Sequence, residues 1–97
     1  MNPGYVIAYI DVTNPAQYEE YKKLSSAAME QHGAQVCVRG GRTEPLEGDW
    51  NPTRVVVLKF ASFERAKAFY HSSEYGRARQ ARAGAAVMNM IAVEGVA

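Results

Sequence analysis

Residues 5–12 read YVIAYIDV, and this stretch decides the fold because apolar side chains stand on both sides of it. Its β-branched and aromatic residues favour a strand between a Pro-Gly pair and a Thr-Asn-Pro turn. Alternate positions face opposite ways: one face receives Tyr5, Ile7 and Tyr9, and the other receives Val6, Ala8, Ile10 and Val12. A sheet with one face in water alternates apolar and polar residues. This strand does not, so the sequence predicts a sheet that is covered on both faces.

Two later predicted strands, residues 53–60 and 86–94, repeat the pattern. In the last strand one face receives Val87, Asn89, Ile91 and Val93, and the other receives Met88, Met90 and Ala92. Two helices cover only one face of a four-stranded sheet, so the second face needs another apolar partner. The simplest partner is a second copy of the chain across a two-fold axis, and we predict a homodimer that pairs through its sheet.

The first helix is predicted to begin at Pro15. Asn14 is placed to cap it, and proline suits the first helical position because its missing N–H has no helical partner there. Gly33 is predicted to end the helix. Residues at three- and four-residue spacing form its buried stripe: Tyr18, Tyr21, Ser25, Ala28 and His32.

A second unit of the same kind completes the chain. Residues 35–39 predict a short strand, with a possible extension at 42–46 and then a loop at 47–52. Ser62 caps the second helix, a third short helix starts at Ser72 or Ser73, and Gly84 ends it. This order predicts one α+β domain over residues 1–97: a ferredoxin-like βαββαβ sandwich with a four-stranded antiparallel sheet.

Composition excludes several classes of function. The chain has 97 residues and a formal net charge of +1, which indicates no nucleic-acid partner and no anionic membrane. No apolar run is long enough to span a bilayer, and the N-terminus lacks the features of a signal peptide. The single cysteine, Cys37, cannot form an internal disulfide, so we predict a cytoplasmic location. We also predict that Cys37 is a buried small apolar residue.

Four segments resemble the domain-of-unknown-function family numbered thirteen-thirty, over nearly the whole chain. They are Tyr18-x-x-Tyr21 after Asn14-Pro15, Gly40-Gly41, Glu47-Gly48-Asp49-Trp50, and Phe69-Tyr70-x-x-x-x-Tyr75. The resemblance implies a subunit of the dimeric α+β-barrel superfamily that pairs through its sheet. It implies no activity, because the wider superfamily includes cofactor-free monooxygenases, haem-binding enzymes and isomerases or dehalogenases. Tyr70 departs from the pattern, since many members are expected to carry tryptophan there.

The arginines and tyrosines predict a ligand site between the sheet and the helices, under the loop at 44–52. Guanidinium groups hold carboxylates and tyrosine rings stack on aromatic groups, so the ligand is predicted to be a small acidic or aromatic metabolite. The predicted ligand-binding residues are Tyr21, Arg39, Trp50, Arg54, Tyr75, Arg79 and Arg82. The competing interpretation pairs the arginines with Asp11 or with the acidic loop residues Glu44, Glu47 and Asp49.

Two further functions remain open at this point. One is a cofactor-independent oxygenase or isomerase with His71, or an acidic loop residue, as the base. The Ser72-Ser73-Glu74 turn is placed to orient His71. The competing interpretation is that His71, like His32, stands at a helix C-terminus because an imidazole interacts favourably with the negative end of the helix dipole. The other is a structural or regulatory dimer without a ligand. Because two histidines and one cysteine lack ligand spacing, we predict no metal and no cofactor.

Overall fold

The computed structural model describes residues 2–97, which build one sheet and three helices. The elements in chain order are β1 (Gly4–Val12), α1 (Pro15–Gln31), β2 (Gln35–Arg39), β3 (Arg54–Phe60), α2 (Phe63–His71), α3 (Ser73–Ala81) and β4 (Ala86–Glu94). The strands pair antiparallel in the order β2-β3-β1-β4. The predicted ferredoxin-like βαββαβ fold is confirmed.

The strand register divides the sheet into two faces. On β1, Val6 lies opposite Leu58 of β3 and Ala92 of β4, and Ala8 lies opposite Val56 and Met90. The helices pack on this side, which we call the helix face. Its central residues Val6, Ala8 and Ile10 of β1 are at most 3% exposed. The core therefore lies between the helices and this face of the sheet.

Local contacts fix the helices against one another. The Asn14 side chain accepts a hydrogen bond from the Gln17 backbone N at 3.2 Å and so caps α1. The Gln17 side-chain amide donates to the carbonyl oxygens of Ala81 at 3.0 Å and Ala83 at 2.8 Å. These bonds satisfy carbonyls at the end of α3 and join that end to the start of α1.

The other side of the sheet, which we call the open face, carries no helix. It includes Tyr5, Ile7 and Tyr9 of β1, Val55 and Val57 of β3, and Val87, Ile91 and Val93 of β4. Ile91 is 53% exposed and Val87 60% exposed. The Cα atoms span 37 × 35 × 16 Å, the dimensions of a thin two-layer slab. The apolar open face is the one that the strand pattern predicts.

The structure corrects two predictions near the sheet edge. Residues 42–46 form no strand, because Gly40 has a positive φ of 72° and turns the chain away from the edge strand β2. Cys37 is exposed, so the prediction of a buried cysteine is wrong. The register shifts between Val36 and Val38, and this irregularity carries Cys37 outward at an edge that no helix covers.

Candidate functional site

A cleft opens on the helix face between α1 and the β3–β2 side of the sheet. We call it the tyrosine cleft; the polar residues that line it, over an apolar floor, are Tyr18, Tyr21, Lys22, Ser25, Arg39, Arg54 and Tyr75. The space inside it is about 20 Å³, room for about one water molecule. Together with its open mouth the cleft measures about 380 Å³. As it stands, the deep end accepts a very small group and the mouth accepts a larger one.

Two tyrosine hydroxyls meet at the deep end of the cleft. The Oη atoms of Tyr21 and Tyr75 are 2.7 Å apart, and both residues are buried. Tyr21 belongs to the inward stripe of α1. Tyr75 lies in the first turn of α3, where the Ser72 side chain accepts a hydrogen bond from its backbone N at 3.1 Å. The helix cap therefore helps to position the Tyr75 ring.

These hydroxyls are protonated near neutral pH. Burial raises the pKa of Tyr18, Tyr21 and Tyr75 above the usual value of about 10. The neighbouring Tyr75 raises the pKa of Tyr21 further, because a second ionised oxygen at this distance would be repelled. The pair can therefore donate and accept hydrogen bonds, but a tyrosinate base is disfavoured.

Two arginines from the strands lie at the mouth. Arg54 is opposite Ile10 and Arg39 is opposite Val56, so both side chains emerge on the helix face. The Arg39 Nη2 donates to the Ser26 Oγ at 2.6 Å. The Arg54 guanidinium carbon lies 5.9 Å from the centre of the Tyr18 ring, and its Nε is buried without a hydrogen-bond partner among residues 2–97.

Glycine at position 40 makes room for Arg54. A Cβ at this position would overlap the Arg54 guanidinium, and the positive φ of Gly40 also disfavours other residues. The Gly40 backbone N donates to the Val55 carbonyl at 2.9 Å, which holds the turn against β3. The predicted Gly40-Gly41 turn thus has a specific role, which is to let the arginine side chain lie flat at the mouth.

The interpretation that pairs the arginines with Asp11 or the acidic loop is wrong for this structure. Asp11 accepts hydrogen bonds from Thr53 instead, from its backbone N at 3.4 Å and its Oγ1 at 2.9 Å. Within the described chain, the carboxylates that form ion pairs do so with Lys22, Lys23, Lys67 and His32. No arginine in residues 2–97 has a carboxylate partner, so the mouth of the cleft keeps its positive charge.

The two arginines of the α3 region lie outside the cleft. The Arg79 guanidinium carbon is 4.6 Å from the centre of the Tyr70 ring, and that of Arg82 is 5.6 Å from the centre of the Tyr21 ring. Arg82 therefore lies behind Tyr21, and its charge also acts on the Tyr75 hydroxyl. Of the seven predicted ligand-binding residues, the structure brings four together in the cleft: Tyr21, Arg39, Arg54 and Tyr75.

Trp50 lies on the opposite side of the sheet from the tyrosine cleft. Its ring makes an edge contact with Tyr9 of the open face, with ring centres 4.4 Å apart. The prediction that the 44–52 loop covers the cleft is therefore wrong. After Gly40 the chain leaves β2 and returns to β3 along the open face, where the loop lines a hollow with Tyr9 and Val55. Trp50 itself is 58% exposed.

Neither histidine lines the tyrosine cleft. His71 is exposed at the end of α2, and its ring makes an edge contact with Tyr70 at 5.2 Å. The turn beside it does not orient it, because the Ser72 Oγ donates to the Phe69 carbonyl at 2.7 Å and the Ser73 Oγ to Glu74 at 2.8 Å. A catalytic role for His71 stays a prediction.

His32 and Glu74 join the end of α1 to the start of α3. The His32 Nε2 and the Glu74 Oε1 are 2.8 Å apart. This contact, together with the hydrogen bond from Ser73, lowers the pKa of Glu74 below its usual value. The pair holds the two helices that carry Tyr21 and Tyr75.

Sequence reasoning missed three polar residues of the cleft, Tyr18, Lys22 and Ser25. Lys22 was assigned no role, and Tyr18 and Ser25 were placed only in the buried stripe of α1, although Tyr18 supplies the ring beneath Arg54 and Ser25 is 1% exposed. The position of Tyr18 and Ser25 in the helical stripe, one turn on either side of Tyr21, was the available signal.

The described part of the chain shows neither a metal cluster nor a membrane span. Among residues 2–97, no three His, Cys, Asp or Glu side chains cluster to hold a metal ion, and no helix is long and apolar enough to cross a membrane.

Solved structures share this fold at low sequence identity. A protein of unknown function from Rhodopseudomonas palustris aligns with a TM-score of 0.76 and 18% identity, over 99% of this chain and 84% of that one. SnoaB, a cofactor-independent oxygenase from Streptomyces nogalater, aligns with a TM-score of 0.66 and 10% identity, over 100% and 96%. A dimeric protein of unknown function and ferredoxin-like fold from Bacteroides fragilis aligns with a TM-score of 0.59 and 12% identity, over 96% and 95%.

These likenesses show the fold and do not transfer an activity. No curated protein matches the chain significantly. One family model, described as "Domain of unknown function (DUF1330)", matches residues 3–96, which is almost the entire sequence. The chain belongs to this family.

Proposed function

We propose that this protein binds a small organic anion in the tyrosine cleft. The observation that carries the proposal is the charge at the mouth, where Arg39 and Arg54 converge without a carboxylate partner in residues 2–97. The buried Nε of Arg54 has no hydrogen-bond acceptor within that part of the chain. A buried polar group without a partner is costly, and a carboxylate satisfies a guanidinium with two parallel hydrogen bonds.

The shape of the cleft defines the class of ligand. Its carboxylate would lie at the mouth between the two arginines, and its body would lie in the solvent-open mouth beside Tyr18, because the enclosed space is only about 20 Å³. The deep end has room for about one water beside the Tyr21 and Tyr75 hydroxyls. A small aromatic carboxylate fits these requirements, because its ring can stack on tyrosine and its charge can meet the guanidinium groups.

The chemistry of the lining favours binding over proton abstraction. The residues that line the cleft include no His, Asp or Glu, and burial keeps the tyrosine hydroxyls protonated. A cofactor-independent oxygenase or isomerase that works through a base needs such a group within hydrogen-bond reach of its substrate. SnoaB, a cofactor-independent oxygenase, shares this fold. The oxygenase or isomerase alternative therefore remains only for a substrate bound outside the cleft, beside His71.

The proposal includes a homodimer that pairs through the open face. Ile91 and Val87 are each more than half exposed there, beside Ile7, Val57 and the Tyr9–Trp50 contact. A continuous apolar face of this kind marks an interface, and a self-complementary patch pairs across a two-fold axis. Trp50 and its loop would then lie at the seam between the subunits.

Calorimetric titration with benzoate tests the ligand proposal, with benzyl alcohol as the neutral comparison. We expect benzoate to bind more tightly than benzyl alcohol, and the double variant Arg39→Ala/Arg54→Gln to weaken benzoate binding by roughly tenfold to 100-fold. Arg65→Ala, which removes an exposed arginine of α2, is the matched control and should leave binding unchanged.

Two results would contradict the proposal. One is equal benzoate affinity in the wild type and the Arg39→Ala/Arg54→Gln variant. The other is the absence of binding heat with benzoate, salicylate and phenylacetate alike. A structural or regulatory dimer without a ligand would account for the second result.

A further inference from the structure

A second groove lies between α2 and the edge strand β4, and it shares only Val6 and Met90 with the tyrosine cleft. We call it the β4 groove; it is lined by Ala66, Lys67, Tyr70, His71, Arg82 and the β4 residues from Met88 to Ala92, with Val6 beneath. Its volume is about 420 Å³, within the range of roughly 300–1,000 Å³ typical of small-molecule sites. The α1 residues of the tyrosine cleft do not line it.

The β4 groove is lined by basic side chains and by the neutral amide of Asn89. Lys67, His71 and Arg82 line it, and its lining includes no Asp or Glu. The Nε of Arg82 is buried without a hydrogen-bond partner in residues 2–97. Lys67 contacts Glu64 at 3.7 Å, but both side chains are exposed, and an ion pair of this kind contributes little. The groove therefore keeps an unneutralised basic rim.

The floor and wall of the groove are apolar and held in place. Met88, Met90 and Ala92 of β4 pack at the margin of the core. Methionine side chains adapt to ligands of different shape. The wall is Tyr70, whose ring lies between the Arg79 guanidinium at 4.6 Å and the tilted ring of Tyr75, with ring centres 5.7 Å apart. The groove is thus preformed rather than dependent on a mobile loop.

We propose that the β4 groove binds an amphiphilic carboxylate. The apolar body would lie on Met88 and Met90, and the carboxylate would meet Arg82, with Lys67 and His71 at the rim. Charge complementarity selects this class, because a neutral amphiphile would leave the buried Arg82 nitrogen without an acceptor and a cationic one would be repelled. The proposal does not depend on the tyrosine cleft, whose arginines are Arg39 and Arg54.

Amide NMR with decanoate below its micelle concentration tests the proposal. We expect saturable shift changes in residues 66–71 and 88–92, and weaker changes with decanol at equal concentration. Lys67→Ala/His71→Ala should weaken decanoate binding by roughly threefold to tenfold, because both contacts are exposed to solvent. Both side chains are exposed, so the fold does not depend on them. Arg82 is left intact because it also contacts Tyr21.

Two control variants separate this site from the rest of the surface. Arg77→Ala removes an exposed α3 cation outside the groove and should leave decanoate binding unchanged. Arg39→Ala weakens the tyrosine cleft and should also leave it unchanged. Loss of decanoate binding in Arg39→Ala would overturn the inference, since the ligand would then lie in the cleft.

Two further results would overturn it. Decanol could match decanoate in affinity, or Lys67→Ala/His71→Ala could bind decanoate like the wild type.

Discussion

The two faces of one sheet differ sharply, although the same strands build both. On the helix face Val6, Ala8 and Ile10 are at most 3% exposed, whereas on the open face Ile91 is 53% exposed. The helix face also contains charge, because Arg39 and Arg54 emerge from its strands at the mouth of the tyrosine cleft. The comparison agrees with the two roles that we propose, a ligand site on the helix face and a subunit interface on the open face.

The largest expected effect comes from a charge on the open face. Ile91→Asp should weaken dimerisation by more than about 100-fold, because pairing would bury an unpartnered carboxylate. The Ile91 side chain is already half exposed in the single chain, so the subunit should still fold. Sedimentation velocity measures the change. Val96→Asp, at a position 90% exposed beyond β4, is the control and should remain dimeric.

The buried tyrosines of the helix face predict a loss of folding stability at alkaline pH. Burial raises the pKa of Tyr18, Tyr21 and Tyr75, so the folded state keeps these protons after the unfolded state begins to lose them. Their contribution is complete below about pH 10, the unfolded pKa, and is lost as pH rises above it, at about 1.4 kcal/mol per pH unit for each such group.

Urea unfolding between pH 8 and pH 11 measures this loss. Tyr21→Phe removes one ionisable group, so its free energy of unfolding should fall less steeply above pH 10 than that of the wild type. Identical pH slopes for the two proteins would contradict the assignment of Tyr21 as a buried hydroxyl.

The smallest expected effect lies at the junction of α1 and α3, away from both faces. The pKa of Glu74 is lowered by His32 and Ser73, so its contribution is present above the usual carboxyl pKa and is lost as pH falls through the lowered value. The thermal midpoint of Glu74→Gln should lie slightly below that of the wild type at pH 6, and the difference should shrink as the pH is lowered toward 2. A constant difference across this range would indicate that the charge of Glu74 is not the cause.

The sequence predicted the two apolar faces well, because period-two alternation depends only on the strand itself. It also predicted Asn14 and Ser62 as helix caps, since capping depends on residues three positions apart. The path of the 44–52 loop could not be predicted in this way. Its side of the sheet depends on Gly40 and on the register shift between Val36 and Val38, which are tertiary features of an edge strand.

The candidate site was predicted in part for a related reason. The strand pattern placed Arg39 and Arg54 in the sheet, and the helical stripe placed Tyr21 inward. The sequence could not predict which group each charged side chain contacts, because Asp11 was equally able to contact an arginine or Thr53. The structure shows that it meets Thr53, at 2.9 Å from the Oγ1.

One measurement tests the division of roles most directly: benzoate titration of the Ile91→Asp protein at a concentration where it sediments as a single subunit of 10.7 kDa. Since the tyrosine cleft lies on the helix face, away from the open face, the single subunit should bind benzoate within about twofold of the wild-type affinity. Loss of benzoate binding on dissociation would contradict the account, because the two faces would then form one site instead of two.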